Sequence, residues 1–160
     1  MSPPVNAPRL RQLSESDWRV FAELRLQALT DTLGSHDAQH RQESSFTAAQ
    51  WRRRLRAHAQ FAAFVGDRPV GLIGAQREHA DSVYLYSLWL QPEARGHGLG
   101  TALLSAAVDW ARTHGARTVT LRVQPANASA QRMYEGLGFR VVAGENADPA
   151  SELTMTLSVG

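Results

Sequence analysis

Apolar positions change their spacing along the chain, and each change marks an element. Behind Ser14-Glu15-Ser16-Asp17, the residues Trp18, Phe21, Ala22, Leu24, Arg25, Ala28 and Leu29 recur at helical spacing. This predicts a helix over about 15–30, opened by a capping-box-like turn and preceded by a short strand over Arg9–Leu13. Gly34 and the polar run from Ser35 to Ser45 predict a long loop. Thr47 with Gln50 three residues on then starts a second helix, with Trp51 and Leu55 inward and Arg52, Arg53 and Arg56 outward. From Gln60 the period shortens. Gln60–Val65 and Val70–Ala75 read as a hairpin turned at Gly66-Asp67, with Pro69 at the start of a second strand that Gly71 and Gly74 weaken but open to close backbone approach. A fourth strand follows over Ser82–Leu90, ended by Gln91-Pro92-Glu93-Ala94. Gly98–His114 is a strongly apolar helix stopped by Gly115, and Arg117–Val123 alternates like a strand. Asn127–Glu135 reads as a short helix stopped by Gly136, and Phe139–Ala143 and Leu153–Val159 as two last strands.

The resulting order is an α/β layer arrangement, mostly antiparallel in its first half and with crossover helices in its second. The helix over 98–114 predicts that the strands on either side of it are parallel neighbours. At 160 residues, one domain over 1–160 is expected, with 1–8 a loose start and about 70% of the extended surface buried on folding. Composition removes several chemistries. All 17 basic residues are arginine, the net charge is +2, and there is neither lysine nor cysteine. A disulfide scaffold, a thiolate zinc site and a cysteine nucleophile are therefore excluded. Even with one polar interruption allowed, the longest apolar or aromatic stretch is Val83–Leu90, far short of the roughly 20 residues of a spanning helix, and the start Met1-Ser2-Pro3-Pro4-Val5 has no export pattern. A soluble, cytoplasmic protein with no membrane partner is the expectation.

The stretch Arg95-Gly96-His97-Gly98-Leu99-Gly100-Thr101 lies between a strand end and a helix start. There the helix leaves N–H groups without partners, glycines let a ligand reach them, and the dipole adds about 0.3–1 kcal/mol for an anion. Phosphate binding is the functional reading and a ligand-free tight turn the bland one. A Walker loop needs a lysine that this chain lacks, and a dinucleotide fingerprint needs a third glycine where Thr101 stands. His36-Asp37-Ala38-Gln39-His40 has the spacing of two zinc ligands without a third, so it reads as solvated loop and no metal is expected. Arg52-Arg53-Arg54-Leu55-Arg56 reads as a wet helix face rather than a nucleic-acid contact, because the whole charge is small. Trp18, Trp51 and Trp110 are expected in the core.

Arg95-x-x-Gly98-x-Gly100, after a strand and Pro92, resembles the acyl-CoA pyrophosphate loop of the GNAT N-acetyltransferase superfamily. Downstream, Asn127-x-x-Ala130-x-x-x-Tyr134-Glu135-x-x-Gly138-Phe139 resembles the second signature of the same family. The likeness covers the element order from about 9 to 159, while 31–46 matches nothing specific. It implies a mixed, mostly antiparallel central sheet of about six to seven strands with helices on both faces. It also implies an acyltransferase moving an acetyl group from acetyl-CoA to a primary amine of a small molecule or amino-acid-like acceptor, directly in a ternary complex and without a metal. Main-chain N–H groups of Gly96, His97, Gly98, Leu99, Gly100 and Thr101 would hold the pyrophosphate, with Arg95 beside it. The main chain of Leu90 and the side chain of Asn127 would bind the pantetheine arm, and Tyr134 would give a proton to the departing thiolate. Bottom-up, a phenol with an ordinary pKa of about 10 suits that task. Without the motif, Asn127 reads as a helix cap and Tyr134 as a core tyrosine. The family likeness also places an oxyanion-stabilising main-chain N–H near Leu88 and is compatible with a homodimer.

One departure stands out. Members of the family often carry a glutamate base on the fourth strand, and Val83-Tyr84-Leu85-Tyr86-Ser87-Leu88-Trp89-Leu90 has none. A water relay from Tyr84, Tyr86 or Ser87, a contribution from Glu78, His79 or Asp81, or an acceptor of low pKa all remain open. By the same likeness, the acceptor would meet the loop between the first two helices and the loop between the last two strands. Asp31, Asp37 and Glu43 on the first and Glu145 and Asp148 on the second suggest a cationic amine. The region 91–140 carries a net +3 and the tail from 141 a net −3, in line with an anionic cofactor near one and an amine near the other. Two alternatives accompany this reading: a protein N-terminal or side-chain acetyltransferase, and a non-catalytic acyl-CoA-binding sensor.

Overall fold

The computed structural model describes residues 8–142 and 152–160. Strand β1 (Pro8–Gln12) leads into the Ser14 turn, where the Asp17 carboxylate accepts from the Ser14 N–H at 2.8 Å. That box opens a short 3-10 turn at Glu15–Asp17, and α1 (Trp18–Leu33) continues from it, three residues further than the apolar spacing predicts. The expected loop over 35–45 contains a helix, α2 (Ala38–Ser44). Asp37 caps it, accepting from Gln39 N at 2.8 Å, and Glu43 on it is buried. The polarity of this run thus reflects a helix that buries charge, which periodicity of apolar residues does not detect.

Helix α3 (Ala48–Ala57) begins with the reciprocal pair that the sequence announces: Gln50 N donates to Thr47 Oγ1 at 3.3 Å, and Thr47 N to Gln50 Oε1 at 2.8 Å. Strands β2 (Ala59–Val65), β3 (Arg68–His79) and β4 (Ser82–Leu90) follow. The turn between β2 and β3 uses Gly66 at φ 62°. A Cβ on Gly71 of β3 would collide with the Leu90 side chain and lie 3.2 Å from Trp89 O, so the absent side chain permits close packing against the end of β4. After α4 (Leu99–Thr113) come β5 (Thr118–Val123), α5 (Ala128–Gly136), β6 (Arg140–Val141) and β7 (Leu153–Ser158). Ala143, expected to end the sixth strand, lies outside the described residues.

The strands form one seven-stranded sheet in the order β1-β2-β3-β4-β5-β7-β6. As expected, β4 and β5 are parallel, pairing Ser82–Tyr84 with Thr118–Thr120. The last strand, β7, inserts antiparallel between β5 and β6, setting Met155 opposite Leu121. The architecture agrees with the mixed, mostly antiparallel sheet implied by the family likeness.

The chain divides into two compact units. The first runs up to Gly74 and resumes over Ser87–Ala106; the second comprises Ala75–Tyr86 and the chain from Ala107 onward. The core of the first joins Leu13, Phe21, Leu24, Trp51, Leu55, Ala62, Phe64 and Leu72, with Phe21 and Trp51 edge to face at 5.4 Å. Each fully buried leucine there contributes about 1.5–3 kcal/mol. Val83, Val119, Leu121, Phe139 and Met155 are buried in the second unit. Of the three tryptophans expected inside, only Trp51 is; Trp18 and Trp110 are half-buried, and Trp110 lies flat on the His114 ring at 4.5 Å. Among the described residues no helix is long and apolar enough to cross a membrane.

Candidate active site

The glycine stretch forms an open loop in the first unit. After Pro92–Ala94, Gly96 and Gly98 take φ 81° and 82°, conformations that a side chain would strain, and both are exposed. A Cβ at either would meet nothing within 4 Å, so backbone shape rather than crowding requires the glycines. The first α4 N–H to reach a main-chain carbonyl is that of Ala102, which donates to Gly98 O at 3.1 Å. Within the described residues, those of Gly96, His97, Gly98, Leu99, Gly100 and Thr101 donate to no main-chain carbonyl. An exposed helix start with its donors uncommitted fits a diphosphate.

Arg95 is engaged within the protein. Its Nε donates to Leu90 O at 3.1 Å and its Nη2 to Asp31 Oδ2 at 2.8 Å, an oxygen that also accepts from Trp89 Nε1 at 2.8 Å. The bond from Trp89, then the bond and the charge of Arg95, hold the Asp31 carboxyl below the usual carboxylate range. Because Gln91 N donates to Val70 O on β3 at 2.8 Å, the main-chain groups of Leu88 and Leu90 point away from β3. The main-chain donor of Leu88 and the loop donors therefore come from one strand-loop-helix segment.

Ser87 is the only non-glycine residue at positive φ among those described, at 56° in the second half of β4. A left-handed residue in a strand costs about 1–2 kcal/mol and asks for a reason. Arg25 Nη1 donates to its hydroxyl at 3.2 Å. The same guanidinium grips Glu43 with two bonds, Nε to Oε1 at 3.0 Å and Nη2 to Oε2 at 3.3 Å. Arg54 Nη1 adds a bond to Oε1 at 2.8 Å and Gln39 Nε2 one to Oε2 at 2.9 Å. Burial raises the Glu43 carboxyl, but the bonds from Arg25 and Gln39 and the charges of Arg25 and Arg54 outweigh it, and the group ends below its ordinary value. Beside this cluster lies a cavity of about 320 Å³, with polar lining from Arg25, Thr32, Gln39 and Ser87 and apolar lining from Leu29, Leu33, Leu88 and Trp89.

In the second unit, Asn127 caps α5, its Oδ1 accepting from Ala130 N at 3.1 Å, so the cap expectation holds in the structure. Tyr134 is buried at 9% exposure, its ring 6.2 Å from that of Phe139, and burial pushes its phenol above the ordinary value. Tyr84 and Tyr86 stack at 6.0 Å, and burial also raises Tyr84, which keeps that phenol protonated and unsuited to act as a base. Glu78, His79 and Asp81 are exposed around the turn that starts β4, whereas Ser87–Leu90 form its end.

The acids expected to attract a cationic amine are otherwise occupied. Asp31 pairs with Arg95, Asp37 caps α2, and Glu43 is buried between two arginines; Glu145 and Asp148 lie outside the described residues. His36 and His40 join no cluster of three metal-ligating side chains among the described residues. Sequence reasoning missed the Arg25–Glu43–Arg54 cluster and the Ser87 backbone. Its one trace was Arg25, a charge standing on the apolar face of a helix.

Three known proteins give this geometry a context. A mycothiol acetyltransferase of Thermobispora bispora is 36% identical over 113 residues, covering 64% of this chain and 38% of that relative's length. An acetyltransferase of the GNAT family from Streptococcus pneumoniae superposes with a TM-score of 0.76 at 19% identity, over 96% of this chain and 100% of the other. The PaiA N-acetyltransferase of Thermoplasma acidophilum, solved in complex with coenzyme A, superposes with a TM-score of 0.72 at 20% identity, over 95% and 99%. The sequence model described as acetyltransferase (GNAT) family matches residues 11–139, and with the open loop and the parallel β4–β5 pair it establishes that the chain belongs to the acetyltransferase (GNAT) family.

Proposed function

We propose that the protein moves an acetyl group from acetyl-CoA to a primary amine by direct attack in a ternary complex. The observation that carries this reading is the exposed loop from Gly96 to Thr101, whose uncommitted donors at the start of α4 suit the pyrophosphate of coenzyme A. Family membership and a related fold solved with coenzyme A support the same donor.

The acceptor nitrogen attacks the thioester carbonyl, a C–N bond forms and the C–S bond breaks. Leu88 N–H, pointing away from β3, is suited to the oxyanion; losing one such donor typically costs about 2.7–4 kcal/mol. The nitrogen releases its proton to water, the thiolate takes one from Tyr134, whose burial keeps the phenol protonated until it is needed, and the phenolate is reprotonated from water as the products leave. Asn127 would meet the pantetheine arm, with its Oδ1 already fixed by the Ala130 N–H. With no cysteine in the chain, an acyl-cysteine intermediate has no place in the scheme. Arg95 enters as a clamp on the carbonyl of Leu90 and on Asp31.

Thiol release from acetyl-CoA across amino acids, peptides, polyamines and aminoglycosides tests the activity. Tyr134→Phe is expected to lower kcat about 10²-fold while coenzyme A affinity stays within twofold. Coenzyme A binding without thiol release to any amine would instead assign a non-catalytic acyl-CoA-binding role.

A further inference from the structure

Resting on the reading above, we propose that Arg25 is a carboxylate anchor and that the acceptor is an amine bearing a carboxylate, as in an amino acid, held in the cavity beside Leu88. Among the described residues that line this cavity, Arg25 alone is ionisable and none is a carboxylate. Glu43 balances only one of two guanidinium groups, since Arg25 and Arg54 both pair with it, so the cluster keeps one positive charge. Glu43 itself is 1% exposed, whereas the Arg25 side chain keeps 17% exposure, so the cation and not the anion meets the cavity.

Geometry points the same way. A guanidinium has five N–H bonds. Arg25 spends two on Glu43 and one on Ser87 Oγ, which leaves two. Those three bonds fix the plane of the group before any ligand arrives, so little side-chain entropy remains to be lost on binding. The strained φ of Ser87 brings a hydroxyl to this guanidinium one residue before Leu88, whose N–H the mechanism uses. An acceptor carboxylate on Arg25 would therefore be registered against the strand segment where the amine must react. The apolar walls of Leu29, Leu33 and Trp89 suit a hydrocarbon side chain. A polycation would meet the net positive charge of the cluster here, and its natural place in the first unit is the separate open groove that carries Glu23 and Glu93 against Arg68.

The experiment compares matched ligands. Thiol release is followed with glycine, leucine and phenylalanine, their carboxamides, and the corresponding decarboxylated amines, with kcat/KM corrected to the neutral amine. In parallel, the coenzyme A-loaded protein is titrated calorimetrically with the N-acetyl amino acids and their amides. At least a tenfold preference for the carboxylate form is expected in kcat/KM for one side chain, and the same preference in product binding. Equal or better use of amides or simple amines, or no selective binding of the N-acetyl acids, overturns the proposal. Binding selectivity without turnover would uphold the anchor and refute the transfer activity. The double variant R25Q/E43Q replaces the charged pair by amides that can still bond to each other. Its folding is checked by thermal unfolding, and its carboxylate preference is expected to fall below threefold through the KM of the acid. Retained preference in the folded variant overturns the role of Arg25; should the variant not fold, the ligand ranking with the native protein decides.

Discussion

Two regions of the same compact unit present hydrogen-bond donors by opposite means. The loop from Gly96 to Thr101 offers main-chain donors from consecutive residues, and its shape depends on positive φ at Gly96 and Gly98. The Arg25 cluster instead draws side chains from α1, α2, α3 and β4, with Arg25 and Ser87 separated by 62 positions. Backbone donors exist in any sequence that makes the turn, so the loop is insensitive to most side chains and sensitive to backbone shape. The cluster has the reverse dependence, because removing one partner strands the others.

Substitutions at each region break the contrast in order of size. The largest effect is expected from Gly98→Asp, which strains the backbone and sets a negative charge against the diphosphate. Calorimetry should show coenzyme A affinity reduced at least 10²-fold, about 2.7 kcal/mol, and unchanged affinity would remove the loop from the site. Next, Glu43→Ala should destabilise the fold by about 2 kcal/mol in chemical denaturation. A fully buried pair would lose about 3–5, but Arg25 and Arg54 keep 17% and 41% exposure and recover part of it by hydration. If Glu43→Ala is neutral, the cluster is not a structural unit.

A smaller effect follows from pH. The Glu43 carboxyl is depressed in the folded protein, so its contribution is complete above the unfolded value of about 4.3 and is lost as pH falls below it toward the folded value. The acid limb of a stability–pH curve should flatten in Glu43→Gln, and an unaltered limb would contradict the assignment. Smallest of all, His97→Ala and Thr101→Ala should each change coenzyme A affinity less than about threefold, since in the proposed site both residues would serve through their N–H groups, which donate to no main-chain carbonyl among the described residues. A larger loss would show that side chains carry part of the binding.

The same contrast explains what was legible. The Thr47–Gln50 box, the Gly66 turn and the Asn127 cap were read correctly because each is settled by neighbours within a few residues. Helix α2 was missed because its seven residues bury one carboxylate and no apolar stripe. That Asp31, Asp37 and Glu43 each have a partner in the fold was not legible, because composition records charge but not pairing.

By itself, the sequence determined the order of elements apart from α2, the parallel β4–β5 neighbours and the glycine turn that opens α4, since periodicity, caps and glycines act over one or two turns of chain. It also settled that any cation in the protein, apart from histidine and the amino terminus, is a guanidinium. Only the tertiary structure decided that β7 inserts between β5 and β6, that Ser87 turns left-handed, and which acid each arginine neutralises. These depend on free energies of burial and pairing between residues far apart in the chain. The arginines are alike in composition, yet Arg95 became a clamp on Asp31 and Arg25 the positive wall of a cavity.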